Sequence, residues 1–221
     1  MEPYSTHTGI IATLNRSNVD TDQIIPKQFL KSIKRTGYGP NAFFDWRYTD
    51  DGDPAPDFEL NQPRFAGRSL LVVGNNFGCG SSREHAVWAL FQDGYRVIIA
   101  PWKETSGGRV PGFADIFRSN AVKNGLLTVE LSSEEVDRIF DLVATNKGLK
   151  ATADLLSQSI TVHIPEPEPA VYRFEMDKGS RERLIGGLDD ISLTLQHEEH
   201  ITHFESSHDS MLPESGLTPL S

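Results

Sequence analysis

The chain has 221 residues, 38% of them hydrophobic and 24% charged, a balance that suits a globular protein with one well-buried core. Its formal charge of −10 offers no general attraction for a nucleic-acid backbone, and no apolar run reaches the roughly 18 residues that a membrane helix needs. The single cysteine, Cys79, excludes an internal disulfide and a self-contained iron–sulfur cluster, which takes about three or four thiolates.

The N-terminus, "MEPYSTHTGIIATL", has neither the basic start nor the long apolar stretch of a signal peptide, so the cytoplasm is the expected location. Within it "GIIATL" (9–14) reads as a strand closed by Asn15. Next comes "NVDTDQIIPKQFLKSIKRTGYG" (18–39), an Asp/Thr turn followed by a Pro-started short helix and an Arg-Thr-Gly loop. An ordinary surface loop would need neither Arg35 nor the glycines at 37 and 39. The Asp-, Pro- and Gly-rich stretch 48–67 reads as a long loop inside the domain.

Two apolar runs, "SLLVVG" (69–74) and "RVIIAP" (96–101), flank a helix expected over about 82–92, with Ala86, Val87, Leu90 and Phe91 as its apolar stripe and Gly94 as its stop. This is a βαβ unit, so the two strands should lie parallel with a right-handed crossover. "SSEEVDRIFDLVATN" (132–146) is a second helix, opened by a Ser132/Glu135 capping box and striped by Val136, Ile139, Phe140 and Val143. "SITVHI" (159–164) and "VYRFEM" (171–176) read as strands joined by the turn-forming "PEPEPA", and "LDDISLTLQHEEHITHF" (188–204) as a C-terminal helix. One domain is expected over 1–205, with 206–221 a disordered tail. His197, His200, His203 and His208 show no metal-ligand spacing and read as a polar helix surface.

The stretch "NNFGCGSSREHAVWAL" (75–90) is a glycine loop that leaves a strand and opens a helix. Such a place turns unpaired N–H groups and the positive helix end toward an anion. Its glycines fall short of a dinucleotide fingerprint, because Arg83 stands where the third Gly belongs, and no Gly-Lys-Ser/Thr follows for a phosphate loop. A Ser81/Glu84 capping box would account for those two residues without chemistry. It would leave Ser82 and Arg83 unexplained, since Arg in a first helical turn opposes the dipole yet suits bidentate capture of a carboxylate.

These residues, together with "NVDTDQIIPKQFL", "RTGYG", "FADIFRSNAVKNGLL" and "GLDDISLTLQH" in that order, resemble the small subunit of 3-isopropylmalate dehydratase, a relative of the swivelling domain of aconitase. The resemblance covers most of residues 7–205. It implies a three-layer β/β/α swivelling domain, and a separate large subunit that carries a [4Fe–4S] cluster. It also implies interconversion of 2-isopropylmalate and 3-isopropylmalate, by loss and return of water, in leucine biosynthesis. By the same resemblance Ser81 is the base, and Ser82, Arg83 and Arg35 hold the carboxylates of a small dicarboxylate hydroxy acid. No metal is assigned to this chain, and His85, four residues from Ser81, is given a packing or capping role in preference to ordering the groups around that serine. A related hydro-lyase acting on citraconate/methylmalate or homoaconitate, or a non-catalytic anion-binding module, remains open. The sequence departs from the family at "WKETSGGRVPG" (102–112), expected to be a surface insertion.

Overall fold

Four strands of the computed structural model, which describes residues 1–31, 34–164 and 168–208, run parallel at its centre. They are β1 (Thr6–Leu14), β2 (Arg68–Val73), β3 (Val97–Thr105) and β5 (Leu127–Ser132), the three-residue β4 (Gly108–Val110) lying between the last two in sequence. β2 joins β1 on one side and β3 on the other, with Leu70 opposite Ile11 and Val97. Beyond β3 lies β5, with Val97 opposite Leu127. On the far side β1 meets β6 (Lys150–Asp154), which continues antiparallel into β7 (Ser159–Val162) and β8 (Ala170–Arg173). All eight strands therefore belong to one hydrogen-bonded sheet, and the expected β layers are parts of it.

The central strands are apolar runs buried on both faces, as parallel strands covered by crossovers must be. The helices α3 (Glu84–Gln92) and α4 (Asp115–Lys123) make the β2-to-β3 and β3-to-β5 crossovers and pack on each other. α5 (Ser133–Thr145) lies against β1, β2, β3 and β5. Its capping box forms as expected: Glu135 donates its backbone N–H to Ser132 Oγ, and the Ser132 N–H donates to Glu135 Oε2 at 2.8 Å. Val136, Ile139 and Val143 are buried, and Phe140 packs at the margin.

Several elements differ from the sequence reading. The 48–67 stretch contributes Phe58, Leu60 and Phe65 to the core through two short 3-10 turns. The expected C-terminal helix is two helices, α7 (Asp190–Leu195) and α8 (Glu198–His208), preceded by α6 (Lys178–Gly186). Residues 102–112 form a hairpin in which β3 extends to Thr105 and turns into β4, with 103–111 exposed. Residues 165–167 of the expected turn and the tail from 209 lie outside the described residues. No helix among the described residues is long and apolar enough to cross a membrane.

The end of α3 is fixed by a nearly buried charge network. Asp93 takes Nη1 and Nη2 of Arg47 at 2.8 and 2.6 Å, and Nη2 of Arg68 at 2.8 Å. Arg47 belongs to the short helix α2 (Phe44–Arg47) and Arg68 opens β2, so one carboxylate ties α2, α3 and the sheet together. Arg68 Nε also donates to the phenol of Tyr95, whose pKa burial pushes up to about 12. Asp93→Ala would leave two guanidiniums buried without a counter-charge. Denaturant unfolding is expected to show a loss of about 3–5 kcal/mol. A loss no larger than about 1 kcal/mol, the range of a surface ion pair, would show that the network is solvated and dispensable.

Candidate active site

Residues 75–83 leave the C-terminal end of β2, where ligand sites of parallel sheets gather. Three positive-φ residues, Asn76, Gly78 and Gly80, coil this segment tightly. At Gly78 (φ 75°) a Cβ would fall 2.3 Å from the Phe117 ring, so both the backbone and the packing require glycine. Phe117 stacks on Phe113 and meets Phe77 edge-on, which seats the loop against α4. Asn75 anchors the other side, donating from Nδ2 to the carbonyls of Pro101 and Pro111 at the base of the 102–112 hairpin.

The loop also lies along the segment 19–22. The Gly78 N–H donates to the Val19 carbonyl at 2.8 Å and the Thr21 N–H to the Cys79 carbonyl at 2.9 Å. Thr21 starts α1 (Thr21–Ile24), whose Asp20/Gln23 capping box is complete. Its side chain is 2% exposed and donates from Oγ1 to the Ser81 carbonyl at 3.0 Å, with Ser81 Oγ 3.4 Å away. Asp22, next along, accepts from Nη1 of Arg83, and Lys27 Nζ stands 3.6 Å from its other oxygen. Arg83 is largely covered, its side chain 15% exposed. Among the described residues no other hydrogen bond to its guanidinium occurs.

The Ser81/Glu84 capping box does not form. α3 starts two residues later than expected, Arg83 is its N-cap with extended backbone, and no side chain caps it. Glu84 accepts instead from Asn124 Nδ2 at 2.8 Å. The loop reaches back to 19–22, which carries Ser81 and Ser82 outside the helix. Both are exposed, and among the described residues the Ser81 hydroxyl has no partner nearer than Thr21.

Arg35 lies on a different loop and meets α3 further along. Its guanidinium is 5.6 Å from the centre of the Trp88 ring, and its carbonyl accepts from Gln92 Nε2 at 2.8 Å. Trp88 is five residues beyond Arg83, about 7.5 Å along the helix axis. Arg83 stands at the start of α3 and the Arg35 loop packs against its middle and end, while no contact between the two arginines is present among the described residues. His85 sits within this support, with ring centres 5.3 Å from Tyr38 and 4.6 Å from Trp88. Burial, reinforced by Arg83 and partly offset by Glu84, pulls its pKa below the ordinary imidazole value. Burial and Asp20 hold the Cys79 thiol above its ordinary range, which makes it a poor nucleophile.

Sequence reasoning missed Thr21, Asp22, Trp88 and Gln92. The "DTDQ" cap spacing was a signal for the first two, because a capping box fixes which way its neighbours point. Trp88 and Gln92 share a helix face with His85 at i, i+3 and i+7, a pattern that is visible only once the 35–39 loop is known to lie over it.

Residues 1–134 match the family model of the aconitase C-terminal domain, and 190–213 match that of the C-terminal domain of the 3-isopropylmalate dehydratase small subunit. A 3-isopropylmalate dehydratase small subunit of Desulforapulum autotrophicum is 66% identical over 206 residues, covering 93% of this chain and 95% of that protein. One of Bacillus licheniformis is 52% identical over 212 residues, covering 96% and 99%. The crystal structure of a 3-isopropylmalate dehydratase from Methanocaldococcus jannaschii shares the fold, with a TM-score of 0.57 at 23% identity over 90% of this chain and 99% of that one. A glycine loop held against an aspartate-clamped arginine is thus found in a chain that matches these relatives almost end to end, and the chain belongs to the 3-isopropylmalate dehydratase small-subunit family, within the wider group that shares the aconitase C-terminal domain.

Proposed function

We propose that this chain is the half of a 3-isopropylmalate dehydratase that supplies the proton-transfer and carboxylate-binding groups, and that it works with a large subunit. The reaction interconverts 2-isopropylmalate and 3-isopropylmalate by dehydration and rehydration in leucine biosynthesis. The observation that carries the reading is the arrangement of 78–83: a serine hydroxyl free of any capping duty, beside an arginine whose orientation Asp22 fixes. The names of the two curated relatives favour isopropylmalate over the other hydroxy acids that related hydro-lyases use.

The chemistry divides between the chains. Loss of a hydroxyl calls for a Lewis acid, which a [4Fe–4S] cluster on the large subunit would supply. This chain's residues do not fit such a cluster: Cys79 is its only thiol, and no three of the His, Cys, Asp or Glu side chains among the described residues come together as a metal site. What this chain contributes is a base and an anion clamp. Ser81 Oγ accepts the C–H proton next to the leaving hydroxyl and returns one on rehydration. A serine is far from that state in water, so the amides of the glycine loop, the first turn of α3 and the Arg83 charge must all favour its deprotonated form. Arg83 offers the guanidinium edge that Asp22 leaves free to one carboxylate, Ser82 adds a hydroxyl donor, and Arg35 approaches from its Trp88 shelf.

Reconstitution tests the division. The purified chain alone is expected to give no dehydratase turnover with 3-isopropylmalate, and anaerobic mixing with the large subunit to restore it; turnover by the single chain would overturn the reading. Ser81 is tested in the assembled enzyme. Because it caps no helix, Ser81→Ala should leave thermal unfolding and assembly nearly unchanged while lowering kcat by about 10²-fold or more. Near-normal turnover in that variant would leave the base unassigned. Arg83→Lys keeps the charge beside Asp22 but loses the planar fork, so kcat/KM should fall by about 1.5–3 kcal/mol, or roughly 10- to 150-fold. A fall smaller than threefold would remove Arg83 from the clamp.

A further inference from the structure

We infer that Gln92, at the far end of α3, is the positioning residue that sets where Arg35 meets the substrate; the inference rests on the carboxylate-binding role proposed above for Arg35. One amide makes three hydrogen bonds to the backbone of the Arg35 loop. Gln92 Oε1 accepts from the N–H groups of Gly37 and Tyr38, both at 2.9 Å, and Nε2 donates to the Arg35 carbonyl at 2.8 Å. A primary amide is the one neutral side-chain group that accepts and donates in this fork, and it substitutes here for a β-strand neighbour.

The contacts around it make the clamp specific to this loop. Gly39 lies so close to the end of α3 that a Cβ there would sit 2.6 Å from the Gln92 carbonyl oxygen, which brings loop and helix backbone together. One helical turn before Gln92, Trp88 supports the Arg35 guanidinium from below and packs on Tyr38 at 5.8 Å between ring centres. Trp88 itself is held by donating Nε1 to Asn124 Oδ1 at 2.9 Å. The Asp93 network then fixes the residue that follows Gln92. Without the clamp the Arg35 loop keeps its aromatic contacts but loses the backbone bonds that place it, and an arginine on a loosely placed loop must be ordered each time substrate binds.

Such a residue acts on binding rather than on proton transfer. In the enzyme assembled with its large subunit, Gln92→Ala is expected to raise KM for 3-isopropylmalate about tenfold with kcat within about threefold, the pattern of an interaction made equally in ground and transition states. Gln92→Glu, which keeps both acceptor bonds and loses the donor, should fall between wild type and Ala; Gln92→Met, of equal length without polar atoms, should behave as Ala. In an Arg35→Ala background the Gln92→Ala change should add little further. Arg35→Ala that raises KM beside a Gln92→Ala that does not would overturn the inference and leave the clamp reading of Arg35 intact. Unchanged KM in Arg35→Ala would overturn both. A Gln92→Ala enzyme whose thermal unfolding and kcat fall together with KM unmoved would make Gln92 a structural residue only.

Discussion

Two backbone hydrogen bonds, from Gly78 to Val19 and from Thr21 to Cys79, are the constraint on which the site depends. They join segments almost sixty residues apart, and each brings part of the proposed site: one the serines, the other the aspartate that orients Arg83. The glycines exist to let this happen. With side chains at 78 and 80 the loop could not coil at positive φ, nor could it approach 19–21 with Phe117 packed behind it. The glycine loop is consequently less a helix N-terminus than a short ladder against residues 19–21, and the hydroxyl that local sequence would assign to the helix is released from it.

α3 is the second organising element. Its start carries Arg83, its middle carries the His85–Trp88 surface under Tyr38 and Arg35, and its end is pinned by Asp93 to Arg47 and Arg68. A helix tethered only at the end near the site would let the two arginine-bearing loops drift independently. With the far end fixed by paired and nearly buried charges, both loops take their spacing from one rigid rod. The network is expensive to break because removing one partner leaves the others desolvated, so its contribution is to definiteness of position as much as to stability.

Three of the four parallel strands, β1, β2 and β3, were legible because they are continuous apolar runs closed by Gly, Pro or Asn, while β5 and the α4 crossover before it were not read; α5 was legible because Ser132 and Glu135 stand at capping-box spacing before a regular stripe. The same rule failed at Ser81 and Glu84, where the spacing is identical. A capping box needs the chain to enter the helix at the serine, and here tertiary pairing with 19–21 postpones entry until Glu84, whose carboxylate finds Asn124. Ser81, Ser82, Arg83 and Arg35 were reached through the resemblance of their motifs. Asp22, Thr21 and Gln92 were not, because what marks them is a contact across the fold: an aspartate in a turn, a threonine at a helix start and a glutamine near a helix end are each ordinary in one dimension. Residues 48–67 form a long loop inside the domain, as read, but their polar, Pro-rich composition hid the three apolar side chains that seat them.

Exposure of Ser81 and Ser82 also says what the fold leaves unfinished. In the proton-transfer role proposed for Ser81, a hydroxyl benefits from fixed donors and from the absence of competing water, and the described residues provide the first without the second. The donors are rigid: a tightly coiled glycine loop, an arginine held by Asp22, a helix pinned at both ends. In the proposed assembly, a partner surface brought over the C-terminal edge of the parallel strands, where the loop lies, would remove that water. That edge also bears the 102–112 hairpin, whose base Asn75 ties directly to the glycine loop. A preorganised but open half-site on a rigid platform suits one partner of the proposed two-chain enzyme, because assembly would then exclude water and complete the site in one step, without refolding the loop that carries Ser81 and Arg83.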